Sequence, residues 1–128
     1  MNQRFFFDAS LLGVARIMAQ SHDRITYPGH SEWPFGQDED DETWLQLVGD
    51  RGWCAIFRDK RIRYRTTERA ALERHRARAV VVATSRNLTI KDNVALLDRY
   101  WSDVEQTLVD APALYHLTAA GFRKKLTY

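Results

Sequence analysis

Arg4-Phe5-Phe6-Phe7-Asp8 is the stretch that decides the fold of this 128-residue chain, together with Trp53-Cys54-Ala55-Ile56-Phe57-Arg58-Asp59. Three consecutive phenylalanines cannot alternate between core and water. They therefore predict a strand buried on both faces, as in parallel sheets covered by helices. The second stretch repeats the pattern, a continuous apolar run followed by an aspartate. Because parallel strands end at the same edge of a sheet, Asp8 and Asp59 are expected to lie together there.

Strand and helix patterns alternate along most of the chain. The predicted strands cover 4–7, 24–27, 53–57 and 78–83, followed by a hairpin of 113–117 and 122–126. The predicted helices cover 11–18, 41–50, 66–77 and 90–109. This alternation implies right-handed crossovers between parallel strands. The sequence therefore predicts a three-layer α/β/α sandwich with a mainly parallel central sheet and a C-terminal antiparallel hairpin, as a single domain over residues 1–128.

The composition narrows the class of protein. Hydrophobic residues make up 45% of the chain and aromatic residues 12%, which is typical of globular rather than disordered proteins. The single cysteine, Cys54, excludes an internal disulfide and a zinc–thiolate cluster, and it favours a reducing, cytoplasmic location. The first apolar run is broken at Asp8, so it is too short for a signal peptide, and no stretch approaches membrane-spanning length. We therefore expect no membrane partner.

Positive charge is concentrated in one segment. Residues 58–78 hold nine of the nineteen Lys and Arg residues and only three acids, a net charge of +6, which leaves −4 on the rest of the chain. A positive flank beside an acidic edge suits a phosphate backbone. The alternative is a solvated, arginine-rich helix face, and composition alone does not separate the two.

A third acid opens the helix between the two decisive strands, in the stretch Asp41-Glu42-Thr43-Trp44-Leu45. If Asp8, Asp41 and Asp59 gather at one sheet edge, they repel one another and raise one another's pKa, and a divalent cation relieves that repulsion. Mg²⁺ prefers oxygen ligands, retains water, and can activate that water for attack on phosphorus. Each acid also has a simpler explanation, because Asp8 and Asp41 could be helix N-caps and Asp59 a turn residue.

Other kinds of site find less support in the sequence. The histidines, His22, His30, His75 and His116, have no metal-ligand spacing, so we expect them to be structural or solvated. No glycine-rich phosphate loop and no nucleophile elbow is present. A phosphoacceptor receiver module would need an adjacent acid pair after the first strand, and a haloacid-dehalogenase-like phosphatase would need Asp-x-Asp where Asp8-Ala9-Ser10 stands.

The ordered motifs resemble those of PIN-like domains. Phe5-Phe6-Phe7-Asp8 followed by an apolar helix resembles their opening, Asp41-Glu42-Thr43-Trp44 resembles "D-x-x-W", and Phe57-Arg58-Asp59-Lys60-Arg61-Ile62-Arg63 resembles "T-R-D-k-x-I-R". The later stretches Thr67-Glu68-Arg69-Ala70 and Ala111-Pro112-Ala113-Leu114-Tyr115 are similar to the compact subgroup typified by VapC-type toxins. The similarity extends over nearly the whole chain, in order.

The resemblance implies a ribonuclease that depends on Mg²⁺ or Mn²⁺ and acts as the toxin of a type II toxin–antitoxin pair. Its metal-binding and catalytic acids would be Asp8, Asp41 and Asp59, with Glu42 as a further candidate ligand. Its partners would be an RNA substrate and a cognate antitoxin protein, and a homodimer is a candidate assembly. The residues expected to hold RNA phosphates are Arg58, Lys60, Arg61, Arg63 and Arg65.

The chain departs from the family pattern at two places. Larger PIN domains carry an additional acid on a helix between the first and second of the metal-binding positions, and residues 11–20 contain none. Glu42 or Glu68 is the candidate substitute for it. Phe57 stands where the family commonly has a threonine. The alternative function is accordingly a catalytically inactive PIN-like module that binds RNA or a protein partner.

Overall fold

The computed structural model describes residues 3–35, 40–58, 66–83 and 88–128, with only the backbone described for Asp41 and for residues 66–68. The strands are β1 (Phe5–Phe7), β2 (Ile25–Thr26), β3 (Cys54–Arg58), β4 (Arg78–Val82), β5 (Ala113–Thr118) and β6 (Gly121–Thr127). The helices are α1 (Leu12–Met18), α2 (Asp41–Arg51), α3 (Thr66–Arg74), α4 (Ile90–Arg99) and α5 (Trp101–Gln106). A 3₁₀ turn, Ala9–Leu11, joins β1 to α1.

The six strands form one sheet in the order β2-β1-β3-β4-β5-β6. Every neighbouring pair is parallel except β5 and β6, which form the C-terminal antiparallel hairpin. The predicted α/β class with a mainly parallel sheet is therefore confirmed. Among the described residues, no helix is both long and apolar enough to cross a membrane.

Two hydrophobic cores cover the two faces of the sheet, and β1 supplies both. Phe5 and Phe7 pack with α1, α4 and α5 in one core, while Phe6 packs with α2 and α3 in the other. All three phenylalanines are at most 2% exposed. The same alternation continues along β3 and β4, because successive side chains of a strand point to opposite faces.

The last long helix differs from its prediction over 90–109. The structure divides it into α4 and α5 at Tyr100, whose backbone (φ −109°, ψ 18°) leaves the helical region. Leu97, Trp101 and Val104 are all buried, so the buried residues keep their helical spacing across the break. The sequence pattern therefore gives no indication that the helix is divided at Tyr100. Residues 107–109 form turns rather than helix.

The third helix ends earlier than its predicted limit at residue 77. Arg76 adopts a left-handed conformation (φ +51°), and the amide of Ala77 donates to the carbonyl of Leu72 at 2.9 Å. This arrangement closes the helix and turns the chain into β4. Glycine usually occupies such a position, so the sequence contained no stop signal here.

Helices α2 and α3 pack closely because Gly49 has no side chain. A Cβ atom at Gly49 would lie 2.0 Å from the backbone carbonyl oxygen of His75. A backbone atom cannot move aside as the end of a side chain can, so the contact requires glycine at this position.

We predict that Gly49→Ala lowers the free energy of unfolding by about 1–3 kcal/mol, because the added methyl group separates α2 from α3. Gly13→Ala is the matched control, since its Cβ would meet only the end of the Ile90 side chain at 2.8 Å. That side chain can turn away, and alanine favours helix by about 1 kcal/mol over glycine. Urea unfolding compares the two variants, and equal midpoints would contradict the close contact.

Candidate functional site

The carboxyl edge of the sheet contains a topological switch point between β1 and β3. The chain leaves β1 towards β2 on one side, and returns through α2 to β3 on the other side of β1. In open α/β sheets the connections diverge at such a point, and a crevice is expected beyond the carboxyl ends of the strands. Open α/β proteins bind ligands at such crevices.

Asp8 lies at this switch point, directly after β1. Its backbone amide donates to the carbonyl of Ile56 on β3 at 3.1 Å, which continues the ladder past the end of the strand. Its carboxylate caps the 3₁₀ turn, since Oδ1 accepts from the backbone amide of Ser10 at 3.0 Å. Asp8 is therefore an N-cap as well as a candidate ligand, and the two roles are compatible.

Ser10 connects the ends of β1 and β3. Its hydroxyl Oγ donates to Asp8 Oδ1 and accepts from the backbone amide of Arg58 at 3.3 Å. Arg58 is the last residue of β3 and immediately precedes Asp59. The sequence did not predict this bridge, because it depends on the pairing of β1 with β3.

Asp40, rather than Asp41, caps the N-terminus of α2. Asp40 is the N-cap, and its Oδ1 accepts from the backbone amide of Thr43 at 2.8 Å. The alternative that made Asp41 the helix cap is therefore wrong, because Asp41 is the first residue of the helix itself. The side chain of Asp41 lies outside what the structure describes.

Aromatic packing fixes the first turn of α2 against the two strands. The ring of Trp44 lies 5.2 Å from that of Phe6 on β1 and 6.2 Å from that of Phe57 on β3. Phe57 is 2% exposed within this core, so its side chain serves packing beneath the edge. The residue that departs from the family pattern thus helps to hold α2 next to both strand ends.

Several predicted site residues fall outside the described part of the chain. These are Asp59, Lys60, Arg61, Arg63 and Arg65, whose roles remain predictions. Among the described residues, no group of three or more His, Cys, Asp or Glu side chains is placed to hold a metal. Those residues include neither Asp59 nor the side chain of Asp41, so the predicted three-acid set stays a prediction.

Glu42 makes contacts that do not require a metal. Its Oε1 lies 2.6 Å from Nη2 of Arg74, and its Oε2 lies 3.7 Å from Nε2 of His75. These contacts join the start of α2 to the end of α3. Glu42 as a metal ligand stays a prediction, and its pairing gives it a packing role in the structure.

The family comparison agrees with this geometry. A family model described as a PIN-like domain matches residues 3–84, which include Asp8, Asp41 and Asp59 and extend from β1 through β4. The chain belongs to the PIN-like domain family, whose members are generally nucleases and usually use divalent metals. No curated protein and no solved structure matches the chain.

We predict that Ser10→Ala lowers the free energy of unfolding by about 1–2 kcal/mol, because it removes one hydrogen bond to Asp8 and one from Arg58. Ser10→Thr keeps the hydroxyl group and is the control. Chemical denaturation measures both variants. An alanine variant as stable as wild type would show that the bridge contributes nothing to stability.

A second prediction concerns the pH dependence of the α2 cap. The hydrogen bonds from Thr43, first from its side chain and then from its backbone, hold the pKa of Asp40 below its ordinary value of 3.8. A lowered pKa stabilises the fold above the ordinary value, and this contribution is lost as the pH falls through the folded pKa. Asp40→Ala should therefore be less stable than wild type at neutral pH.

The stability difference between wild type and Asp40→Ala should narrow as the solution becomes acidic. Asp40→Asn keeps the capping oxygen without a titrating group, so its own stability should not change through this titration. Thermal melts of the three proteins from neutral to acidic pH provide the test. A constant difference between wild type and Asp40→Ala would contradict the ionised cap.

Proposed function

We propose that this chain is a metal-dependent endoribonuclease that cleaves RNA phosphodiester bonds. Asp8, Asp41 and Asp59 would hold Mg²⁺ or Mn²⁺ at the carboxyl edge of the sheet. The observation that carries the proposal is the position of Asp8 at the switch point between β1 and β3, where a ligand crevice is expected. Membership of a family of nucleases supports the reaction class.

The donor chemistry fits a hard divalent cation. Carboxylate oxygens are the ligands that Mg²⁺ and Mn²⁺ prefer. Asp59 follows Arg58, and the backbone of Arg58 is tied to Asp8 through Ser10. When bound, the cation would lower the pKa of a water molecule and stabilise charge on the phosphate. The protein would contribute fixed carboxylates, with Arg58 and the basic residues after it holding the phosphates.

A substitution series tests the proposal while preserving the caps. We expect Asp8→Asn, Asp41→Asn and Asp59→Asn each to reduce RNA cleavage to near background, since an amide removes the negative charge from the metal site. A double variant should be scarcely worse than a single one, because residues that hold one metal act as a unit. Asp40→Asn, one residue from Asp41, is the matched control and should keep wild-type activity.

The readouts are cleavage of a mixed single-stranded RNA pool with Mg²⁺ or with EDTA, and the melting temperature with and without Mn²⁺. If Asp8 is only a cap, asparagine replaces it well and the activity of Asp8→Asn survives. Cleavage that persists in EDTA, or in any one of the three variants, would contradict the mechanism. Binding of RNA without any cleavage by wild type would favour the inactive PIN-like module instead.

We also propose the more specific role of a type II toxin, with a cognate antitoxin protein as partner. The stretches that resemble VapC-type toxins support this role. We expect a small gene for a helix-turn-helix protein to lie next to this gene. Expression of the chain should arrest growth, and the product of the neighbouring gene should relieve that arrest. Growth arrest that an Asp8→Asn variant causes equally well would contradict toxicity by cleavage. Size-exclusion chromatography of the chain with and without that product would decide whether it forms a homodimer.

A further inference from the structure

The C-terminal strand β6 carries an uncompensated positive strip, formed by Arg123, Lys124 and Lys125. All three residues are exposed, and residues 111–128 contain no Asp or Glu. Among the ion pairs of the described residues, none involves a member of the strip. The strip is therefore a local concentration of charge at the edge of the sheet.

The strip is in register with the candidate site. Phe7 on β1 pairs with Ile56 on β3, and the amide of the next residue, Asp8, donates to the carbonyl of Ile56. Asp8 therefore lies opposite Phe57. From there, Phe57 pairs with Val81, Val81 with His116, and His116 with Arg123. One cross-strand row thus extends from Asp8 to Arg123 over four strand spacings, about 19 Å.

The residues of this row also show on which face of the sheet Arg123 projects. Phe57 and Val81 belong to the core beneath α2 and α3, and Leu114, two residues before His116, belongs to the same core. Directly opposed residues on neighbouring strands point to the same face. Arg123 therefore projects on the α2 and α3 side, in the same cross-strand row as Asp8. Lys124 pairs with Tyr115 of the other core and projects on the opposite side.

Protection of the sheet edge is the alternative explanation for this strip. Lysines and bulges on edge strands prevent pairing with other chains, and the β5–β6 pair has a register shift between Leu114 and Tyr115. A strand of mixed charge would block pairing equally well with less self-repulsion. Edge protection thus accounts for charged residues on β6 but leaves the absence of acids unexplained.

We propose that the strip binds the phosphate backbone of single-stranded RNA and extends the substrate path from the crevice towards β6. This inference rests on the proposed function, since it takes RNA as the substrate. Cations on an exposed strand hold phosphates without reading sequence. The row itself is covered by α2 and α3. RNA held at Asp8 would therefore pass along the carboxyl edge of the sheet and would reach Arg123 about 19 Å away.

The test measures RNA binding in EDTA, where cleavage is prevented, by fluorescence anisotropy over a range of salt concentrations. Arg123→Gln/Lys125→Gln should reduce the slope of log Kd against log salt by about 1.4, since each phosphate contact on single strands contributes about 0.7. At 0.1 M salt, affinity should fall about 25-fold. Arg123→Lys/Lys125→Arg keeps the charge and should bind like wild type.

The matched control is Arg16→Gln/Lys91→Gln, which removes two exposed cations from α1 and α4 on the opposite face. It changes the net charge equally and should leave the salt slope unchanged. RNA length gives a second arm, because an oligonucleotide of about 4 residues confined to the crevice should lose less affinity than one of about 16.

Three outcomes would overturn the proposal. Equal slopes of log Kd against log salt for the strip and control variants would do so. A strip variant that self-associates more but binds RNA as well as wild type would also do so, because that result indicates edge protection. A strip variant that loses affinity for poly-glutamate but not for RNA would show that the strip binds acidic protein instead. Strip-dependent binding in a protein without Mn²⁺-dependent cleavage would support this inference and reject the proposed nuclease activity.

Discussion

The burial of β1 on both faces is the constraint on which the rest of the structure depends. Each phenylalanine has a tryptophan as a partner: Phe5 and Phe7 contact Trp101 in one core, and Phe6 stacks on Trp33 in the other, with ring centroids 3.7 Å apart. Removing one such ring typically costs about 3–5 kcal/mol. The strand cannot slip by one residue without exchanging its faces, so its register with β2 and β3 is fixed.

That fixed register determines where the candidate site residues lie. Because Phe7 pairs with Ile56, the next residue, Asp8, emerges at the carboxyl edge beside the end of β3. Ser10 then joins the two strand ends, and the Trp44 ring brings the start of α2 against both strands. The position of the carboxylate thus follows from the hydrophobic packing beneath it, because Asp8 directly follows the buried strand and its amide is held by Ile56.

Nucleophilic cysteine chemistry finds no support at this edge. Burial raises the pKa of the Cys54 thiol to about 12, so the residue remains protonated at neutral pH. Cys54 opens β3, at the end of the sheet opposite to Asp8. Cys54 is consequently not a candidate nucleophile for the proposed reaction.

The sequence by itself determined the class of fold, because consecutive apolar residues and alternating helical segments leave few arrangements other than a covered parallel sheet. It also indicated the acids worth testing, whose roles remain predictions. Only the tertiary structure decided which acid caps α2, where α4 ends and what Ser10 connects. It also placed Trp33 in the core, within a stretch for which no strand or helix was predicted. These features depend on contacts between residues distant in the chain, and local periodicity contains no information about them.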